Sequence, residues 1–140
     1  MIIDESLVIK APIEKVWQTF IDLSCWADWN TVLTNVTGGD NITEGRAFRC
    51  SIRPFVFPVY FEPRIQNMKP FQSVTWITRK YGITARHEFL FEKETEGVRI
   101  RSREVFSGFI IFVAGWMLLT KLRELTVVFL KDLKHESEVR

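Results

Sequence analysis

The residues best suited to moving or holding a proton at neutral pH are few here. There are two histidines, His87 and His135, and two cysteines, Cys25 and Cys50. None of them has metal-ligand spacing and there is no Cys-x-x-Cys pair, so no metal or other cofactor is expected. His87 becomes informative once its strand is placed. If Glu94 and Gly97 close a turn, the alternating segments 83–93 and 98–107 pair as a hairpin. Glu92 then faces Arg99 and Glu88 faces Arg103 on one side, each opposite-charge pair favourable by roughly 0.2–1 kcal/mol. The other side pairs Phe91 with Ile100, Phe89 with Ser102, His87 with Glu104, and Ala85 with Phe106. A slip of one residue would mix charges and aromatics on one face, so this register is preferred. The preceding hairpin, turning at Tyr81-Gly82, sets Trp76 beside His87, with Thr75 facing Glu88 and Ile77 facing Arg86. A row Trp76–His87–Glu104 therefore crosses three strands on their mostly apolar face.

Three chemistries fit a lone polar couple on such a face. His87 and Glu104 can satisfy each other in the interior, as buried polar groups require. They can orient the polar end of an otherwise apolar ligand, the usual construction of a small-molecule site. Or Glu104 can raise the basicity of His87 for proton abstraction or an aldol-type cyclisation. The couple alone supplies neither nucleophile nor oxyanion site, so His87 and Glu104 are catalytic candidates only in that last form. Arg99, Arg101 and Arg103 alternate along one strand; pairing with Glu88 and Glu92 on a solvated face is expected in preference to an anion site.

The elements that must position the row follow from the rest of the pattern. Residues 2–9 read as a strand. Pro12 suits the first turn of a helix, and Ile13, Val16, Trp17 and Phe20 follow at helical spacing. Asp22 or Ser24 is placed to cap a second short helix. Gly38-Gly39-Asp40-Asn41 marks a turn between 31–37 and a strand at 46–53. Pro54 and Pro58 bracket Phe55-Val56-Phe57 as a loop or edge. Strands are expected at 59–67, interrupted or edged at Pro63, then at 73–80, 83–93 and 98–107, followed by a long helix over 109–136 that is amphipathic in its second half. This order predicts one α+β domain over 1–140.

The run from Ala11 to Asn30, with its Ala-Pro-Ile-Glu-Lys-Val-Trp start and Trp26-Ala-Asp-Trp29-Asn30 end, resembles the amino-terminal signature of the START/SRPBCC superfamily of polyketide cyclase/dehydrase and lipid-transport proteins. Glu104-Val-Phe-Ser-Gly108 and Leu130-Lys-Asp-Leu-Lys134 also look like that family. The likeness covers nearly the whole chain, and its amino-terminal part is the specific one. It implies a helix-grip fold, with a curved antiparallel sheet of about six or seven strands wrapped around the carboxy-terminal helix and two short helices after the first strand. It also implies an internal pocket for a hydrophobic ligand.

Bulk properties set the limits. The chain has 12 Phe and 5 Trp in 140 residues, so the interior is either tightly filled or lines a roomy apolar site. A net charge of +2, with basic residues spread among acidic ones, argues against nucleic acid as the main partner. No secretory signal is visible, and both cysteines read as small buried free thiols, which points to the cytoplasm. The run 109–119 is apolar all round but too short for a span, which needs about 20 residues. Enclosure by the sheet is expected to cover most of it, with a pocket gate, a dimer contact or transient membrane contact to explain the excess.

Together these readings predict a monomer or homodimer that binds a hydrophobic small molecule such as a lipid, isoprenoid or polyketide-like compound. Phe48, Ile52, Trp76, Phe89, Phe91 and Phe106 would supply the wall, with His87 and Glu104 at its polar point. The alternatives are a cofactor-free cyclase or dehydratase using His87 as general acid/base, and an interaction module working through 109–119.

Overall fold

The computed structural model describes residues 1–139, except the side chains at 110 and 112–114. The chain runs β1 (Ile2–Ile9), α1 (Ile13–Ile21), a single 3-10 turn (Leu23–Cys25), α2 (Trp26–Trp29), β2 (Thr34–Thr37), β3 (Arg49–Ile52), β4 (Val59–Phe61), β5 (Arg64–Lys69), β6 (Ser73–Lys80), β7 (Ile83–Glu94), β8 (Gly97–Ser107) and α3 (Phe109–Val139). A five-stranded antiparallel sheet, ordered β1-β8-β7-β6-β5, faces the long α3, and a smaller sheet, β2-β3-β4, flanks it. This is the α+β, helix-grip layout.

Pro63 explains why the strands form two sheets rather than one. Its missing N–H interrupts the run 59–67, so β4 pairs with β3 while β5, after the break, pairs with β6. Pro12 stands at the N-cap of α1 in extended conformation, its carbonyl accepting from Lys15 and Val16 at 3.1 Å. The expected side-chain cap of α2 is absent. Asp22 instead accepts the Ser24 hydroxyl at 2.5 Å, and Cys25 takes the cap position. Cys25 is exposed, contrary to expectation, whereas Cys50 is buried; both are free thiols.

Most of the core is one aromatic cluster beneath α1. Phe20, fully buried, contacts the rings of Trp26, Trp76, Phe89, Phe91 and Phe129 with centroids between 4.7 and 6.3 Å. A second, smaller cluster of Ile3, Ala85, Phe106, Ile111 and Leu119 fixes the first half of α3 to the sheet.

The chain turns from β8 into α3 at Gly108, where φ is +123° and a Cβ would lie 2.2 Å from the Gly82 carbonyl oxygen. No L side chain fits this contact. Gly108→Ala should lower unfolding free energy by about 1–3 kcal/mol from backbone strain alone. Urea denaturation checks this, and an unchanged midpoint would contradict it.

Candidate functional site

The two hairpins have the register their charges imply. Trp76 pairs with His87, and His87 with Glu104, while Glu94 faces Gly97 at the turn. Alternation then sends Trp76 and Thr78 of β6, His87 and Phe89 of β7, and Ser102, Glu104 and Phe106 of β8 toward α3. From α3, Leu118, Leu122, Leu125 and Phe129 answer at helical spacing. Between the sheet and this helix lies a cavity of about 210 Å³. Its lining is apolar apart from a few groups, which is the usual build of a small-molecule pocket.

Ile52, Trp76, His87, Phe89, Glu104 and Phe106 line this cavity. Phe48 and Phe91 do not. Phe48 packs 5.5 Å from the Trp76 ring and 5.6 Å from Trp26, and Phe91 lies 5.1 Å from Trp17, so both belong to the core behind the wall. The far wall includes Val32 and Leu33, whose positions come from the end of the amino-terminal signature. Buried Asn30 accepts from the N–H groups of Val32 and Leu33 at 2.9 and 3.0 Å and donates to the Leu33 carbonyl at 2.7 Å. Thr31 then ties this segment to α3 through Asp132.

The polar point of the cavity is a chain of three side chains rather than two. His87 Nε2 is 2.6 Å from Ser102 Oγ, and His87 Nδ1 is 3.5 Å from Glu104 Oε2. Ser102, almost fully buried, was legible only as the inward partner of Phe89, and nothing in the sequence marked it for a role. The His87 ring stacks on Phe89 at 4.1 Å and meets the edge of Trp76 at 5.4 Å. These walls remove water from the couple, and two effects compete. Mutual attraction favours an ion pair, whereas loss of hydration favours neutral groups. Desolvation wins. It pushes the His87 pKa down to about 3 and the Glu104 pKa up to about 8, so at neutral pH the imidazole is neutral and the carboxyl carries its proton.

The connectivity Ser102–His87–Glu104 is that of a hydrolytic triad, but its electrostatics are not. A triad needs an ionised carboxylate to stabilise the imidazolium that forms when the serine is deprotonated. Here the carboxyl is neutral, and Ser102 sits mid-strand, where neighbouring backbone N–H groups are committed to β1 and β7 rather than to an oxyanion. What the arrangement offers is a neutral patch of donors and acceptors at the base of an apolar cavity.

The arginines of β8 lie on the opposite face, where Arg99 and Arg103 face Glu92 and Glu88 in register and both glutamates attract Arg101, but their hydrogen bonds go elsewhere. Arg99 donates to Glu94 at 2.6 Å and Ser6 at 3.2 Å, and Arg101 grips Asp4 through two bonds of 2.9 and 2.6 Å. Glu88 and Glu92 were expected because they face β8 from β7; Asp4 and Ser6 reach it from β1 on the other side. Asp4 is held below the usual carboxylate range by the Arg101 hydrogen bond. Among the described residues no group of three His, Cys, Asp or Glu side chains is placed to hold a metal ion. No described helix is long and apolar enough to cross a membrane.

An antiparallel sheet gripping a long carboxy-terminal helix over an internal cavity defines a helix-grip protein. The sequence matches no protein-family model and no curated protein. Solved structures match over essentially the whole chain. The Zhui aromatase/cyclase of Streptomyces sp. R1128 has a TM-score of 0.85 at 14% identity, covering 100% of this chain and 96% of that one. A protein from Thermus thermophilus has a TM-score of 0.84 at 12% identity, covering 99% and 98%. The di-domain ARO/CYC BexL of the BE-7585A biosynthetic pathway has a TM-score of 0.82 at 15% identity, covering 100% of this chain and 50% of that one. The neighbours include aromatase/cyclases, and this chain shares their fold.

Proposed function

We propose that this protein binds an uncharged, largely apolar small molecule in the cavity between the sheet and α3, with one hydroxyl or carbonyl of the ligand set against Ser102, His87 and Glu104. The observation that carries this reading is the composition of the lining: apolar walls from sheet, helix and small sheet surround the Ser102–His87–Glu104 chain, and Thr78, Thr126, Lys80 and Tyr81 are the other polar side chains on the lining. A charged ligand group would meet the same desolvation that neutralises His87 and Glu104. The likeness to aromatase/cyclases supports a hydrophobic ligand of lipid, isoprenoid or polyketide-like type.

Filling the cavity tests the reading. Leu122 lines it from α3 and is half-buried, so Leu122→Trp should plug the space at little cost to the fold. Thermal shifts across a panel of apolar alcohols, ketones and esters should include stabilising compounds for the parent, and the variant should lose at least about 90% of that response. Equal shifts in both proteins would place binding elsewhere.

One observation favours a second reading, a cofactor-free cyclase or dehydratase. Glu104, with its pKa pushed up to about 8, keeps a transferable proton at neutral pH, near the optimum for general acid catalysis. In this reading the acid is Glu104 rather than His87, whose pKa burial pushes down to about 3. A bound compound returned chemically changed, with no change in Glu104→Gln, would favour the enzyme; recovery unchanged from both favours binding.

A further inference from the structure

Three segments meet around the cavity mouth, and each ends in exposed apolar side chains. The β3–β4 loop carries Val56 at 86% and Phe57 at 66% exposure, and the β6–β7 turn carries Tyr81 at 69%. The start of α3 carries Phe109 at 79% and, two turns later on the same side, Trp116 at 72%. Pro54, Tyr81 and Leu118 line one cavity, and Gly108 packs on the Gly82 carbonyl, so the three segments share one end of the molecule. Among the described side chains of 109–119, the expected enclosure reaches Ile111 and Leu119, which are buried, and not Phe109, Trp116 and Met117.

Charge within these three segments is of one sign, with Glu62 and Glu124 just beyond them and Glu5 against Arg123. Segments 53–61, 79–86 and 108–123 hold Arg53, Arg79, Lys80, Arg86, Lys121 and Arg123 and no acidic residue, leaving 13 basic and 17 acidic residues elsewhere. Contacts of Lys121 with Glu124 at 3.6 Å and of Arg123 with Glu5 at 3.8 Å are exposed and weak. Large apolar tips inside a basic rim match an anionic bilayer surface, which takes aromatic side chains at headgroup depth and attracts lysine and arginine. A second copy fits worse, because a two-fold interface would set this basic rim against itself.

We propose that the mouth end docks on an anionic lipid bilayer, with Val56, Phe57, Tyr81, Phe109 and Trp116 entering the interface. Delivery of ligand through the mouth from that bilayer rests on the binding reading above; the docking itself does not.

Trp116 is a built-in reporter, since Trp17, Trp26, Trp29 and Trp76 are all buried. The protein should float with vesicles of phosphatidylcholine containing about one-third phosphatidylserine, and at least about tenfold less with pure phosphatidylcholine or at high salt. Brominated lipids should quench its fluorescence, and Trp116→Phe should lose the quenching. Val56→Asp with Phe57→Asp should cut flotation at least about tenfold while the thermal midpoint stays unchanged. Three results would each overturn the docking: no flotation, flotation without quenching of Trp116, or a dimer in light scattering that the double Asp variant dissociates. A protein that floats but returns an empty cavity in native mass spectrometry keeps the docking and removes the binding reading. One that carries ligand but never floats does the reverse.

Discussion

Between pH 6.5 and 8 the protein should lose stability, and Glu104→Gln should abolish that loss. The signs follow from linkage. Glu104 has a folded pKa of about 8 against an ordinary value of 4.5, so between these values the folded state holds a proton that the unfolded state has released. Stability from this group is therefore full below pH 4.5 and declines as pH rises to 8. His87 runs the other way. Its folded value of about 3 lies below the ordinary value of 6.5, so between them the unfolded state holds the extra proton and stability rises with pH. From pH 4.5 to 6.5 the two slopes cancel. Above 6.5 only the Glu104 slope remains, at about 1.4 kcal/mol per pH unit, or about 2 kcal/mol to pH 8. The amide introduced by Glu104→Gln keeps the shape and a donor toward Nδ1 without a titrating proton, so the difference between the two profiles isolates this group. Urea midpoints across pH 4–9 measure it. An ion pair would give the opposite pattern, with the parent more stable than the variant at neutral pH and the gap closing in acid.

Phe20→Ala should destabilise the fold by about 3–5 kcal/mol, as expected for a large ring deleted from a packed core. Five rings touch Phe20, among them the cavity-lining Trp76, Phe89 and Phe129. Its loss should therefore loosen the cavity wall as well as the core. Denaturant titration gives the first effect, and a weakened thermal shift with ligand gives the second. A cost below about 1 kcal/mol would mean that the surrounding rings collapse to fill the gap, contrary to the packing described.

The fold was legible because two kinds of signal agree. Pro12, the spacing of Ile13 to Phe20 and the Trp26-x-x-Trp29-Asn30 run mark the amino-terminal helices. Alternation with opposed charges sets the register from Ser73 to Ser107, and that register brings Trp76, His87 and Glu104 together. What the pattern did not carry is tertiary distance. Facing residues across a hairpin are readable, but Arg101 meets Asp4 on the neighbouring strand at its other edge. Phe91 shares the inward character of Phe89, and only its distance along β7 separates core from cavity; Phe48, just before β3, packs against Trp26 and Trp76 in the core. Ser102 is a small polar residue on an inward face, a pattern that also fits plain packing. The apolar start of α3 reads as enclosed, whereas among its described side chains Ile111 and Leu119 are buried and Phe109, Trp116 and Met117 are exposed.

In the function proposed, the cavity holds an apolar ligand against the neutral Ser102–His87–Glu104 chain. Native mass spectrometry of freshly purified protein, before and after incubation with the compounds that stabilise it, tests this directly. The expected result is a one-to-one complex with an uncharged apolar molecule, recoverable by organic extraction and lost in Leu122→Trp. A homogeneous ligand-free mass across the whole panel, or an adduct that survives plugging of the cavity, would contradict it.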